Sequence, residues 1–175
     1  MVFMENKTTS VIGGLNLHIS ILAVGRLKER YLAEAQQEYM KRLKSYAKVV
    51  ITEVVDEGYA ERISPAREEE VKEKETQRLQ KHIKQGTYTI ALDREGRQLS
   101  SEELASMLDS LALQGKSDVT FLIGGSLGLS REIIARADYR LSFSQLTFPH
   151  QLMRVILLEQ IYRAFKIIKG EPYHK

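Results

Sequence analysis

The chain has 175 residues, 43% of them hydrophobic and 28% charged, which suits one globular domain with a single core. It contains no Cys, which excludes a disulfide framework and a thiolate metal site and fits a reducing, cytoplasmic setting. Net charge is +3, and residues 150–175 carry five cations (Arg154, Arg163, Lys166, Lys169, Lys175) against two anions (Glu159, Glu171), so the whole excess lies in that segment.

A local basic face of that kind fits a polyanion partner, although a solvated helix face fits it too. Residues 1–17 lack the continuous apolar core of a secretory signal and read as a flexible extension ahead of one domain over 18–175. Nowhere does an apolar run approach the roughly 20 residues of a membrane helix. An apolar run over 18–24, closed by Gly25, predicts the first strand. Tyr31, Leu32, Ala35, Tyr39 and Leu43 fall at helical spacing and predict a helix over 29–46. The β-branched stretch 49–55 predicts the second strand, and 56–63 a loop. Ser64 and Pro65 then offer an N-cap and a first-turn proline for a helix reaching about residue 83, stopped by Gly86. Strand three is expected over 88–92, followed by a polar turn over 93–98. Ser100 and Glu103 are spaced for a capping box on a helix ending near Gly115. Strand four is expected over 119–123, a short helix capped by Ser130 over 131–137, and strand five over 139–143. Pro149 opens a last helix that runs to about residue 168 and stops at Gly170.

Five strands alternating with five helices predict an α/β domain: a mainly parallel five-stranded sheet with helices on both faces. The last helix is apolar on nearly every side (Leu152, Val155, Ile156, Leu158, Ile161, Tyr162, Phe165, Ile168), so it is either deeply buried or packed on a second copy of the chain.

Three segments carry possible chemistry. Ile123-Gly124-Gly125-Ser126-Leu127-Gly128 follows strand four, where glycines let the backbone bend sharply and approach a ligand; a tight turn with no ligand explains them equally well. Its spacing is not the dinucleotide fingerprint, and no Gly-Lys-Ser/Thr phosphate loop is present. Leu141-Ser142-Phe143-Ser144-Gln145-Leu146-Thr147-Phe148-Pro149-His150 alternates apolar and small polar residues, a composition suited to holding a flat ring, or to an ordinary hydrophobic loop. Tyr173-His174 close to the end of the chain could stack on and hydrogen-bond an exposed base, or simply fray. The His residues are not spaced as a metal site, and His150 reads as support for the first turn of its helix. Arg154 and Arg163 are nine positions apart and so point to opposite faces of the last helix. They cannot form one patch within a single chain, but a site shared by two subunits can use both.

Taken together with Leu-Ala-Val-Gly-Arg-Leu-Lys at 22–28, Glu-Gln-Ile-Tyr-Arg-Ala-Phe-Lys at 159–166 and Pro-Tyr-His at 172–174, these segments resemble one family: the small SPOUT, or α/β-knot, methyltransferases that modify a pseudouridine in 23S ribosomal RNA of the large subunit. The resemblance covers about residues 18–175. It implies a C-terminal trefoil knot, which the ordinary rules of chain topology disfavour. It implies a homodimer packed through the last helix, with ribosomal RNA in the large subunit or whole ribosome as partner, and neither DNA nor a membrane.

The resemblance also implies S-adenosyl-L-methionine as cofactor, held by Leu92, Gly124, Phe143, Ser144, Gln145, Leu146, Thr147 and Phe148. It assigns catalysis to His174, Tyr173, Arg163 and Arg154, with the arginines on phosphate or base edge, and implies no metal. His174 is the near-neutral candidate base for removing the proton from N3 of the target pseudouridine. Two rival readings have distinct signatures. A related transfer-RNA methyltransferase usually carries an added RNA-binding domain, and a non-catalytic RNA-binding module would have no cofactor affinity.

Overall fold

A computed structural model describes residues 16–173. Its elements follow in the order β1 (His18–Val24), α1 (Arg30–Leu43), β2 (Lys48–Val54), α2 (Pro65–Gln80), β3 (Tyr88–Gln98), α3 (Ser101–Leu113), β4 (Asp118–Ile123), α4 (Arg131–Arg136), β5 (Tyr139–Ser142) and α5 (His150–Ile168). The sheet order is β2-β1-β4-β3-β5, with every neighbouring pair parallel. This is the α/β arrangement expected from the alternation of strand and helix patterns.

Alternation along the central strands divides the core into two layers. Ile19, Ile21 and Ala23 of β1 and Val119, Phe121 and Ile123 of β4 face α1, α3 and α5. Leu22 and Val24 of β1 and Leu122 of β4 face α2 and α4. β1 and β4 lie inside the sheet and are apolar on both faces, as buried parallel strands must be. Leu17 was assigned to the extension by its sequence, yet it is fully buried in the first layer and its carbonyl accepts the Lys48 N–H at 3.2 Å. Asn16 beside it is exposed, and residues 1–15 of the expected extension lie outside the described residues.

Local signals set the helix starts. Ser64 caps α2 by accepting from the Arg67 N–H at 3.2 Å, with Pro65 in the first turn. Ser100 and Glu103 form the reciprocal capping box of α3, at 3.1 and 2.7 Å. Ser130 caps α4. Pro149 occupies the N-cap position of α5, one residue before the first-turn place read from the sequence.

One element departs from expectation. Residues 93–98 are not a polar turn but the second half of β3. The strand slips register against β5: Leu92 and Arg97 both pair with Leu141, and Gln98 pairs with Ser142. The intervening residues form an excursion pinned to β5, since Arg140 clamps the Asp93 carboxylate at 2.5 and 2.9 Å. A Cβ on Gly96 would stand 2.6 Å from the Arg140 carbonyl oxygen, so only glycine allows the excursion to pack this closely.

Candidate active site

At the carboxyl ends of β4 and β5, beside the excursion in the middle of β3, three segments surround one pocket. Ligands in open parallel sheets bind beyond these strand ends. The β3 excursion forms one side, the glycine turn after β4 a second, and the loop from β5 to α5 a third. The first turns of α5 close it with His150 and Met153.

The glycine turn folds back on itself. Gly125 and Gly128 make an isolated bridge, and the Gly128 N–H donates to the Gly125 carbonyl at 3.0 Å. A Cβ on Gly124 would stand 2.6 Å from the Gly128 carbonyl oxygen and 2.7 Å from the Leu129 nitrogen. Gly124 is therefore glycine because the turn closes against it, rather than because a ligand crowds it. The consequence for the pocket is similar: the turn contributes main chain, not side chains, to the wall.

Behind the turn lies a group that motif reading passed over. Glu75 of α2 is 4% exposed, and one of its oxygens accepts the Glu57 N–H at 2.9 Å while the other has no partner. The unpartnered oxygen lies 3.1 Å from where a Cβ on Gly125 would stand. Burial pushes the Glu75 carboxyl above the usual carboxylate range; the bond from the Glu57 N–H draws it partly back, and the Asp56 carboxylate adds to the rise. The sequence did hold a signal for it: Glu75 falls midway between Val71 and Leu79 on the buried stripe of α2.

Seven of the eight expected cofactor residues line the pocket: Leu92, Gly124, Phe143, Ser144, Leu146, Thr147 and Phe148. Gln145 does not. The Leu146 N–H donates to the Ser144 hydroxyl at 3.0 Å, which folds the loop into a turn with Gln145 exposed on it. The pocket also takes in Asp93, Arg94 and His150, which pattern reading had set apart as turn and helix-support residues. His150 is held below its ordinary imidazole value by burial first, and then by the neighbouring Arg154 and Lys28 cations. It is therefore neutral at pH 7.

The expected catalytic residues separate. Arg154 is 1% exposed; it ion-pairs with Glu53 and donates to the Gly25 carbonyl at 2.9 Å. The expected phosphate contact does not fit this buried guanidinium, which instead moors the β1–α1 connection to the start of α5. The Lys28 N–H adds a second tie, to the Gln151 side chain at 2.9 Å. Arg163 lies in the second half of α5, paired with Glu159 at 2.7 Å and stacked 4.7 Å above the Tyr173 ring. Tyr173 is docked rather than frayed: its hydroxyl donates to Glu159 at 3.1 Å, and its ring meets Tyr162 edge-on at 5.0 Å. His174 lies outside the described residues. From Met153 to Arg163 the helix rises about 15 Å, so the pocket and the Tyr173 cluster are separate places on one chain.

The expected basic footprint is reduced as well. Arg154, Arg163 and Lys166 are paired with Glu53, Glu159 and Glu171 respectively. No helix among the described residues is long and apolar enough to cross a membrane.

Comparison with known proteins decides the family. The model described as "Predicted SPOUT methyltransferase" matches residues 17–174. The chain belongs to the SPOUT methyltransferase family. The protein is 57% identical over 159 residues to Ribosomal RNA large subunit methyltransferase H of Carboxydothermus hydrogenoformans, covering 91% of this chain and 100% of the relative. It is 58% identical over 157 residues to the protein of that name from Pelotomaculum thermopropionicum, covering 90% and 98%. The corresponding protein of Alkaliphilus oremlandii is 57% identical over 159 residues, with 91% and 100% covered. SPOUT membership makes this protein a methyltransferase and fits a pocket built at strand ends from main chain and apolar side chains.

Proposed function

We propose that this methyltransferase transfers a methyl group from S-adenosyl-L-methionine to N3 of a pseudouridine in 23S ribosomal RNA, on the large subunit or assembled ribosome. The observation that carries the reading is the meeting of the β3, β4 and β5 connections in one pocket lined by Leu92, Gly124 and the 143–148 loop. The relatives' shared name supplies the substrate class.

The residues present fit the cofactor. The walls are apolar around a main-chain turn, which suits an adenine ring. His150 is neutral and sets no charge against a sulfonium, and among the described residues the one cation of the lining is Arg94, exposed at the pocket mouth. When bound, the cofactor supplies an electrophilic methyl group with a neutral leaving group. The protein's part is to hold and orient: well-positioned reactants gain about 7–11 kcal/mol. The target nitrogen must also lose its proton, and we assign that contact to His174, with Tyr173 beside it.

Arg163 and Tyr173 lie too far along α5 to face their own chain's pocket. A homodimer resolves this by placing one copy's tail over the other copy's pocket. Leu152, Met153, Val155 and Ile156 keep partly exposed apolar surface on α5, as an isologous contact requires. The trefoil knot belongs to the same reading.

The test is methyl transfer from labelled cofactor to large subunits and whole ribosomes, with the product mapped by nuclease digestion and mass spectrometry. The expected product is one N3-methylpseudouridine per 23S RNA. Label on transfer RNA alone, or no label with tight RNA binding, would replace this reading with one of its rivals.

A further inference from the structure

The β3 excursion puts an unusual cation at the pocket mouth. Arg94 lines the pocket and is exposed, and its guanidinium donates to the Thr147 hydroxyl at 3.2 Å. No carboxylate among the described residues pairs with it. Its neighbour Asp93 is turned the other way, with one oxygen held by Arg140 at 2.5 and 2.9 Å and the other accepting the Glu95 N–H at 3.2 Å. Arg94 is thus the one charged lining residue that is neither paired nor, like His150, kept neutral.

Its backbone is well anchored. On one side the Asp93–Arg140 ion pair fixes the strand, and on the other Gly96 packs directly on the Arg140 carbonyl. A guanidinium offers five donors in a planar fork suited to a carboxylate, and Thr147 takes only one of them. The fixed strand and the bond to Thr147 remove part of the freedom this fork would otherwise lose on engaging a ligand.

On the reading that this pocket holds S-adenosyl-L-methionine, we propose that Arg94 and the Thr147 hydroxyl form its carboxylate-binding corner and grip the amino-acid end of the cofactor. Arg94 is then a specificity residue: it selects a ligand carrying a carboxylate over the same nucleoside and sulfonium without one.

The test compares S-adenosyl-L-methionine with its decarboxylated analogue, which keeps the adenosine, sulfonium and ammonium. Each is titrated calorimetrically into the wild-type full chain, Arg94→Met and Thr147→Val, with thermal unfolding confirming that the exposed substitutions leave the fold intact. The expected result is a loss of about 10-fold in affinity for the intact cofactor in Arg94→Met, in line with one charge-assisted bond. The decarboxylated analogue loses nothing, and Thr147→Val gives a smaller loss of the same selective kind. Equal weakening of both ligands, or no weakening of either, overturns the proposal. So does unchanged cofactor affinity with a raised KM for ribosomes, which would assign Arg94 to RNA phosphate. Failure of the wild type to bind either ligand sinks the cofactor reading itself, a result distinct from the loss of selectivity.

Discussion

The two ends of α5 are built on opposite plans. At its start, loops from three strands make a concave pocket of main chain and apolar side chains, buttressed from behind by the buried Arg154 and Glu75. At its far end, Tyr39, Tyr46, Tyr162, Phe165 and Tyr173 form an aromatic cluster, with Arg42, Arg163, Lys166 and Lys169 laid over the rings. The first shape has room for a small ligand; at the second, Arg42, Arg163 and Lys166 lie over the rings while paired with Glu38, Glu159 and Glu171. In our reading the first end holds the cofactor, and the second, from the partner copy, meets the RNA base.

The sharpest way to break this division is to remove the tail imidazole. We expect His174→Ala to lower methylation by about 10²–10⁴-fold if His174 is the general base. Calorimetric affinity for the cofactor should be unchanged, because the pocket lining comes from the β3, β4 and β5 segments and the start of α5. Near-normal turnover would remove the base role, and loss of cofactor affinity would join the two regions.

Gly124→Val attacks the other end. A side chain there would overlap the Gly128 main chain, so the turn cannot close. We expect a stability loss of about 3 kcal/mol, typical of a severe overpacking, together with loss of cofactor binding. Denaturant unfolding and calorimetry measure the two effects, and wild-type values in both would sink the assignment. Mixing this variant with His174→Ala sharpens the contrast. If pocket and tail of one site come from different copies, mixed dimers carry one intact site and regain activity; a site contained in one chain does not.

How much of this was legible in the sequence differs between the two regions. Capping residues and hydrophobic periodicity act locally, so Ser64, Ser100 and Ser130 marked their helices before any contact was known. The pocket loops were legible because glycine and alternating apolar residues limit what a backbone can do. The second half of β3 was missed because Asp93, Arg94, Glu95 and Arg97 look like a turn, and only the slipped pairing with β5 makes them a strand. The burial of Arg154 was not legible, because its partners Glu53 and Gly25 lie more than one hundred positions away.

Glu75 offers a smaller test of the support behind the pocket. Its carboxyl is held above the ordinary value by burial, so folding favours the protonated form. The stabilisation is complete below the unfolded value near 4.5 and is lost as pH rises toward the raised folded value. Glu75→Gln removes that ionisation. We expect the variant to gain steadily on the wild type as pH rises from 4.5 upward, until the pH passes the raised folded value. Parallel stability–pH curves for the two proteins would overturn the raised Glu75 value.

The mildest expected effect lies in the aromatic cluster. Tyr173→Phe keeps the ring against Tyr162 and under Arg163 and removes only the hydroxyl that donates to Glu159 at 3.1 Å. Glu159 retains its ion pair with Arg163, so no carboxylate is stranded. The stability cost should be about 0.5–1 kcal/mol, the net worth of one hydrogen bond in a partly wet site. Cofactor affinity should not move, whereas turnover should fall if the hydroxyl orients the tail toward the base. A turnover loss rescued by no stabilising condition assigns the hydroxyl to positioning, while turnover that tracks folded population reduces Tyr173 to an anchor for the residue that follows it.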